Sequence, residues 1–200
     1  METARVAGVD EAGRGPLAGP VVAAAVMFLA PLPATLAARI DDSKRLSPAA
    51  RAAAAAVLRE GARQGLLCFA LGAASAREIG TLNILHATLR AMARAVARLP
   101  LSPALVLVDG NRAPPLALPV RCVVGGDALE PAIAAASILA KVTRDLAMAK
   151  LARRWPAYGF AAHQGYPTAA HRAALARHGP CPHHRAGFAP VEAARRGGRG

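Results

Sequence analysis

The first apolar run of the chain begins at residue 5 and ends on two carboxylates, Asp10 and Glu11. A second run, residues 20–28, is apolar without alternation, which predicts a strand buried on both faces. Gly13, Gly15, Pro16 and Gly19 lie between the two runs and predict a tight connecting turn. Ser47-Pro48 opens a helix to about Glu60, with Ser as N-cap and Pro at the first helical position. Residues 66–71 read as a short strand. Leu82, Leu85, Leu89, Met92, Val96 and Leu99 recur at spacings of three and four, with Arg90, Arg94 and Arg98 off the stripe. That pattern predicts an amphipathic helix with a core-facing stripe, ended by Pro100. Residues 105–108 and 120–124 predict two further buried strands, and Pro131 starts a long helix to about Arg154. The remainder, rich in Pro, Gly and His, predicts one short helix near residues 168–178. Residues 193–200 hold three Arg and three Gly and read as a disordered tail. No internal repeat is visible. The expectation is an α/β domain over residues 1–154, a small helical part over 155–190 and a basic tail over 191–200.

Composition narrows the class. A chain of 200 residues, 54% hydrophobic and 18% charged, buries a core without disulfides and is not intrinsically disordered. Three widely spaced cysteines, Cys68, Cys122 and Cys181, fit a reducing cytosol better than a disulfide framework, so a cytoplasmic protein is expected. Asp10 and Glu11 interrupt any leader-like apolar stretch, and four prolines break the longest uncharged run, residues 15–38. No membrane association is therefore expected. The 52 alanines and the excess of Arg over Lys, 22 to 3, look like the coding habit of a GC-rich genome. The net charge of +13 suggests a polyanionic partner, most simply nucleic acid. It is uneven: the first quarter is neutral, the third carries +1, and the second and fourth carry +5 and +7. An acidic centre flanked by basic surfaces gives such a distribution.

The acids, twelve in all, stand where strands end. Asp10 and Glu11 close the first apolar run, Asp109 closes the run 105–108, and Asp127 follows Val123-Val124-Gly125-Gly126. Strand ends are where sites assemble in open α/β sheets. Converging carboxylates repel unless a cation joins them, and hard oxygen ligands suit Mg²⁺ or Mn²⁺. The plain alternative is that each acid is a turn residue, which a single Asp-Gly such as Asp109-Gly110 favours. The turn Gly13-Arg14-Gly15, next to the acidic pair, can bring backbone N–H groups close to phosphate or sugar oxygens. Ser137 and Lys141, at i and i+4, share a helix face with Arg144 one turn on, a face suited to a phosphate backbone. Asp145 reads as an ion-pair partner. The late His163, His171, His178, His183 and His184, with Cys181, fit no standard zinc spacing.

The segment Gly8-Val9-Asp10-Glu11-Ala12-Gly13-Arg14-Gly15-Pro16-Leu17-Ala18-Gly19 closely resembles the opening motif of the ribonuclease HII family. Asp42-Ser43-Lys44-Arg45-Leu46-Ser47, Leu82-Asn83-Ile84-Leu85-His86-Ala87-Thr88 and Val108-Asp109-Gly110-Asn111 resemble further motifs of it. So do residues 135–145 and the run Tyr158-Gly159-Phe160 through His163 to Gly165-Tyr166-Pro167-Thr168, all in family order. The resemblance implies a ribonuclease H-like fold, a central mixed sheet flanked by helices, with a small C-terminal helical part. It implies a metal-dependent endonuclease acting on RNA·DNA hybrids and on single ribonucleotides in duplex DNA. Cleavage would fall 5′ of the ribonucleotide and leave 3′-hydroxyl and 5′-phosphate ends. By motif, Asp10, Glu11, Asp109 and Asp127 would bind Mg²⁺ or Mn²⁺ in a two-metal arrangement. Gly13, Arg14, Gly15 and Tyr166 would recognise the ribose 2′-OH, and Lys44, Ser137 and Lys141 would contact phosphates. A monomer is expected. The chain departs from many relatives in having Gly125 and Gln164 where they carry Lys, and no sliding-clamp motif is visible at its C-terminus. The competing reading is a non-catalytic nucleic-acid-binding module, against which one Trp, two Tyr and four Phe make a poor base-stacking platform.

Overall fold

The computed structural model describes residues 5–31, 40 and 46–197. Five strands form one sheet: β1 (Val6–Ala12), β2 (Val21–Phe28), β3 (Leu67–Ala74), β4 (Leu105–Asp109) and β5 (Val120–Val123). Their order is β3-β2-β1-β4-β5. β1 and β2 are antiparallel, as are β2 and β3, whereas β4 runs parallel to β1 and β5 parallel to β4. The helices are α1 (Pro48–Arg63), α2 (Ala76–Ala97), α3 (Pro131–Arg154), α4 (Phe160–His163), α5 (Ala169–His178) and α6 (Ala189–Gly197).

The sheet is covered on both faces, which is why β2 reads as an unbroken apolar run. Val21, Ala23 and Ala25 face a cluster that holds Ala87, Ala91, Met92, Ala95 and Val96 of α2. Ala24 and Val26 face the other way, toward Ala54, Ala55 and Leu58 of α1 and Ala134–Ala136, Ile138 and Leu139 of α3. Alanine is thus a packing device here, because its short side chain lets helix backbones approach the sheet. Gly8 takes this furthest: a Cβ there would sit inside the α3 backbone at Ala132. That contact brings α3 hard against β1, directly behind Asp10.

Several expectations need correction. α2 begins at Ala76, not near Leu82, because Ser75 and Glu78 form a reciprocal capping box. Asn83 breaks the helix at φ 66° and its side chain accepts from the His86 N–H, restarting the second half. The predicted stripe does face the core, with Met92 and Val96 buried in it and its leucines half-buried, while the alanines at 91 and 95 make the closest approach to the sheet. β5 is a partly exposed edge strand, and Val124 is 76% exposed rather than buried in it. Residues 189–197 form α6, whose Val191 is buried against Leu17 and Leu175, so the tail expected to be disordered is helical up to Gly197. Among the described residues, the part following α3 holds three α-helices and a 3₁₀ turn at Pro156–Tyr158, not one helix.

That C-terminal part docks on the turn between β1 and β2. The Leu17 N–H donates to the Gly165 carbonyl at 2.8 Å, the Gly19 N–H to the His183 carbonyl at 2.9 Å, and the Arg185 N–H to the Leu17 carbonyl at 2.8 Å. Ala18, Met148, Tyr158, Phe160 and Cys181 fill the apolar space beneath.

Candidate active site

β1 runs on to Ala12, so Asp10 and Glu11 lie within the end of the strand rather than beyond it. Neighbouring residues of a strand point to opposite faces. Asp10 turns toward α3, where the Ser137 hydroxyl lies close enough to favour its ionised form, and its carboxylate accepts from the Glu11 N–H at 2.7 Å. The parallel register Val9↔Val108 sets Asp109 beside Asp10 on the same face. Asp109 Oδ1 accepts from the Gly126 N–H at 2.8 Å. This bond anchors the short 3₁₀ segment Gly126–Ala128, which carries Asp127 with only 6% of its surface exposed. Glu11 reaches the same end of the sheet from the other face. Its Oε1 accepts from Arg14 Nη1 at 3.3 Å, while its Oε2 is buried and has no hydrogen-bond partner.

The electrostatics of this arrangement are unfavourable for bare carboxylates. Burial, then Glu11, then Asp109 hold the Asp10 carboxyl well above the ordinary aspartate range. Burial also raises Glu11, against the lowering effect of Arg14. The donor set fits a hard divalent cation: every donor is a carboxylate oxygen, one of them lacks a partner, and burial disfavours the ionised form of two of them, which a cation would favour. Among the described residues, no three Asp, Glu, His or Cys side chains are gathered closely enough to form a finished cation cage. The causes are local: Asp10 and Glu11 start from opposite faces, Arg14 holds Glu11, and the Gly126 N–H holds Asp109.

The residues expected at the substrate sort into three groups. Gly13, Arg14 and Gly15 follow β1 directly, and Tyr166, 45% exposed, lays its ring against Gly15, where an added Cβ would lie 3.4 Å from Tyr166 Cε1. Gly13 takes φ 100°, and a side chain there would collide with Arg144. Ser137 stands at Asp10, and Lys141, one turn on, pairs with Asp145. Lys44 lies outside the described residues.

Arg144 is the clear correction. It is 1% exposed and offers nothing to a phosphate backbone. Its guanidinium donates to the carbonyls of Pro20 at 3.1 Å, Ala18 at 3.3 Å and Gln164 at 2.9 Å. Sequence reasoning also missed Arg185, fully buried and donating to five carbonyls of the β1–β2 turn. No periodicity or spacing signals a lone Arg in a loop. Two of the five histidines it noted, His184 and His171, form a hydrogen-bonded relay. The Cys181 N–H donates to His184 Nδ1 at 3.0 Å, His184 Nε2 meets His171 Nε2 at 3.1 Å, and His171 Nδ1 meets the Tyr166 carbonyl at 2.9 Å. Gln164 and Gly125 both adopt left-handed backbone, with φ 51° and 68°.

A mixed five-stranded sheet with helices on both faces and acids at the adjoining ends of two parallel strands defines a ribonuclease H-like protein. The chain belongs to the ribonuclease HII family, whose sequence profile matches residues 7–191. It is 63% identical over 187 residues to the ribonuclease HII of Granulibacter bethesdensis, spanning 93% of this chain and 84% of that protein. It is 58% identical over 186 residues to the ribonuclease HII of Verminephrobacter eiseniae, spanning 93% and 86%. The crystal structure of the ribonuclease H2 from Pyrococcus horikoshii OT3 superposes with a TM-score of 0.79 at 25% identity, covering 98% of this chain and 100% of that one. The protein is therefore an endoribonuclease of the ribonuclease H type, acting on nucleic acid, and the non-catalytic module is set aside. No helix among the described residues is long and apolar enough to cross a membrane.

Proposed function

We infer that the protein hydrolyses the phosphodiester 5′ of a ribonucleotide, in RNA·DNA hybrids and at single ribonucleotides embedded in duplex DNA, leaving 3′-hydroxyl and 5′-phosphate ends. The observation that carries this reading is the juxtaposition of two structures at the end of β1. A buried, mutually repelling carboxylate group lies beside a glycine turn backed by an aromatic ring.

Asp10, Glu11, Asp109 and Asp127 would hold two Mg²⁺ or Mn²⁺ ions, which when bound supply an activated water, leaving-group stabilisation and neutralised phosphate charge. Ser137 orients the Asp10 carboxylate toward that end of the sheet, and Asp109 positions Asp127 through the Gly126 N–H. The Gly13–Gly15 turn offers backbone donors to a 2′-OH, the group that separates RNA from DNA. Tyr166 supplies a flat apolar surface for the neighbouring sugar. Lys141 exchanges Asp145 for a phosphate oxygen, and Lys44 adds a second phosphate contact. Removal of misincorporated ribonucleotides and of RNA primers is the cellular work such an activity serves.

The test is a DNA duplex with one ribonucleotide, beside all-DNA and RNA·DNA duplexes, with each metal. The wild type should cut on the 5′ side of the ribonucleotide and leave all-DNA intact. Asp10→Asn should abolish cleavage while retaining duplex affinity. Cleavage by Asp10→Asn at the wild-type rate would overturn the assignment of the carboxylates.

A further inference from the structure

We propose that Arg185, seconded by Arg144, is a positioning residue for ribonucleotide recognition, acting through the backbone of the Gly13–Gly15 turn. The inference rests on the function proposed above and adds the group that sets the geometry of its recognition element.

Arg185 is fully buried, and its guanidinium is the centre on which the β1–β2 turn is wound. Nη2 donates to the carbonyls of Gly13 at 2.7 Å and Pro20 at 3.1 Å. Nη1 donates to those of Arg14 at 3.0 Å and Pro16 at 2.7 Å, and Nε to that of Gly19 at 2.9 Å. All five N–H donors of the guanidinium fork thus find carbonyl acceptors. Arg144 binds the same turn from α3, sharing Pro20 and adding Ala18, and ties it to Gln164 two residues before Tyr166.

The consequence follows from peptide geometry. In a trans peptide the C=O of one residue and the N–H of the next point in opposite directions. Drawing the Gly13 and Arg14 carbonyls inward onto Arg185 aims the Arg14 and Gly15 N–H groups outward, on the side where the Tyr166 ring stands. Two adjacent outward N–H groups form a cradle for an oxygen ligand. Arg185 is cationic as well as multidentate: burial and the neighbouring Arg144 pull it down to about 9, which still leaves it charged at neutral pH. The turn is therefore presented to substrate with its donors fixed outward and positive charge beneath it.

Lysine cannot replace this arrangement. Its ammonium keeps the charge but has three donors on a flexible stem, against five in a rigid fork. Arg185→Lys, with Arg144→Lys as a second variant, separates charge from geometry. Both are compared with wild type for cleavage of a duplex carrying one ribonucleotide, for affinity to an all-DNA duplex, and for melting temperature. Arg185→Ala is assayed with added guanidinium ion, which can occupy the vacated space.

Arg185→Lys should lose about 100-fold in kcat, the scale expected of a misplaced recognition group, with all-DNA affinity unchanged. Arg144→Lys should lose in the same direction, and guanidinium should restore part of the kcat of Arg185→Ala. Wild-type kcat in Arg185→Lys would overturn the proposal. So would an equal loss of all-DNA affinity and kcat, or a folded Arg185→Ala that guanidinium fails to rescue. If the wild type itself does not cut 5′ of the ribonucleotide, the functional reading fails instead, and the two failures are distinct.

Discussion

The histidine relay behind Tyr166 predicts that the protein loses stability on mild acidification. Its tautomers follow from its partners. His184 Nδ1 faces the Cys181 N–H, so it is an acceptor and the proton sits on Nε2. That proton points at His171 Nε2, whose own proton sits on Nδ1 and donates to the Tyr166 carbonyl. An added proton on His184 has only Nδ1 to occupy, against the Cys181 N–H, and one on His171 has only Nε2, against His184. Burial, then His171, with smaller contributions from His183 and Arg195, lowers His184 from 6.5 to about 4. Burial, and secondarily His163, lowers His171 in the same direction. Because the folded value lies below the unfolded one, the unfolded chain takes up the proton first. The stabilisation is complete above about pH 6.5 and is lost as pH falls toward 4. For His184, the linkage relation gives a loss of about 2 kcal/mol between pH 7 and pH 5. In a domain of this size that is about 4–8 °C in Tm. Asp10 and Glu11 act oppositely, since protonation favours their folded forms. Glu78, held at about 2 chiefly by Arg94, matters only below about pH 4.5. The clean measurement is the pH 7 to pH 5 drop in Tm for wild type minus that for His184→Gln, in metal-free buffer. The carboxylates are common to both proteins and cancel. A variant that drops as steeply as wild type would refute the relay as the origin of the acid sensitivity.

Three further outcomes follow from the site. Asp10→Asn should raise Tm in EDTA, because it removes a buried carboxylate that Glu11 and Asp109 oppose. Millimolar Mg²⁺ or Mn²⁺ should raise Tm in the wild type, by about 3 kcal/mol at a hundredfold excess over Kd, and by much less in Asp10→Asn. Equal metal shifts in the two proteins would place the ion elsewhere. Gly13→Ala should cost more than about 1 kcal/mol through its left-handed backbone alone, and more through collision with Arg144. Calorimetry measures the loss, and a Tm unchanged within 1–2 °C, about half that minimum cost, would contradict the packing described here.

Much of this architecture is written locally. β2 is recognisable because both its faces are buried and its apolar run is unbroken, and the candidate acids stand out because three apolar strands, not one, finish in a carboxylate. What escaped is what local pattern does not encode. The start of α2 hides in a polar segment, since Ser75 and Glu78 act by hydrogen bonding and not by hydrophobic periodicity. The leucine stripe marks the core-facing side correctly but not the point of closest approach, which is set by the alanines between. Arg144 shows the same limit. Seven residues from Ser137, it does share that residue's face, but periodicity says which side chains lie together and not what they face. This face meets β1 and its turn, so its third position enters the interior. Arg185 is beyond any local reading, since its acceptors lie more than 160 residues away in sequence.

These arginines also alter the meaning of the +13 charge. Arg144 and Arg185 are consumed by carbonyls of the β1–β2 turn. Arg94 and Arg98 donate to the carbonyls of Ala73 at 2.7 Å and Leu71 at 2.9 Å, covering the outer edge of β3. That edge would otherwise present unpaired acceptors to another chain. These four arginines, like Arg51 donating to the Leu46 carbonyl at 2.8 Å, act on the protein's own backbone, in roles where a planar fork outperforms an ammonium, so the preference for Arg over Lys is partly architectural. The placement of the buried pair matters for chemistry too. Arg144 and Arg185 lie under the turn adjoining the carboxylates, yet their guanidinium donors are taken up by carbonyls, and the cation that lowers Glu11 is the half-exposed Arg14. Had a buried guanidinium paired with Asp10, the acid would be ionised but occupied. Binding the guanidinium groups to carbonyls fixes the Gly13–Gly15 turn while leaving the carboxylates high in energy. On the proposed function, a divalent ion would bind by relieving that repulsion, while the turn would need no rearrangement to receive the ribonucleotide.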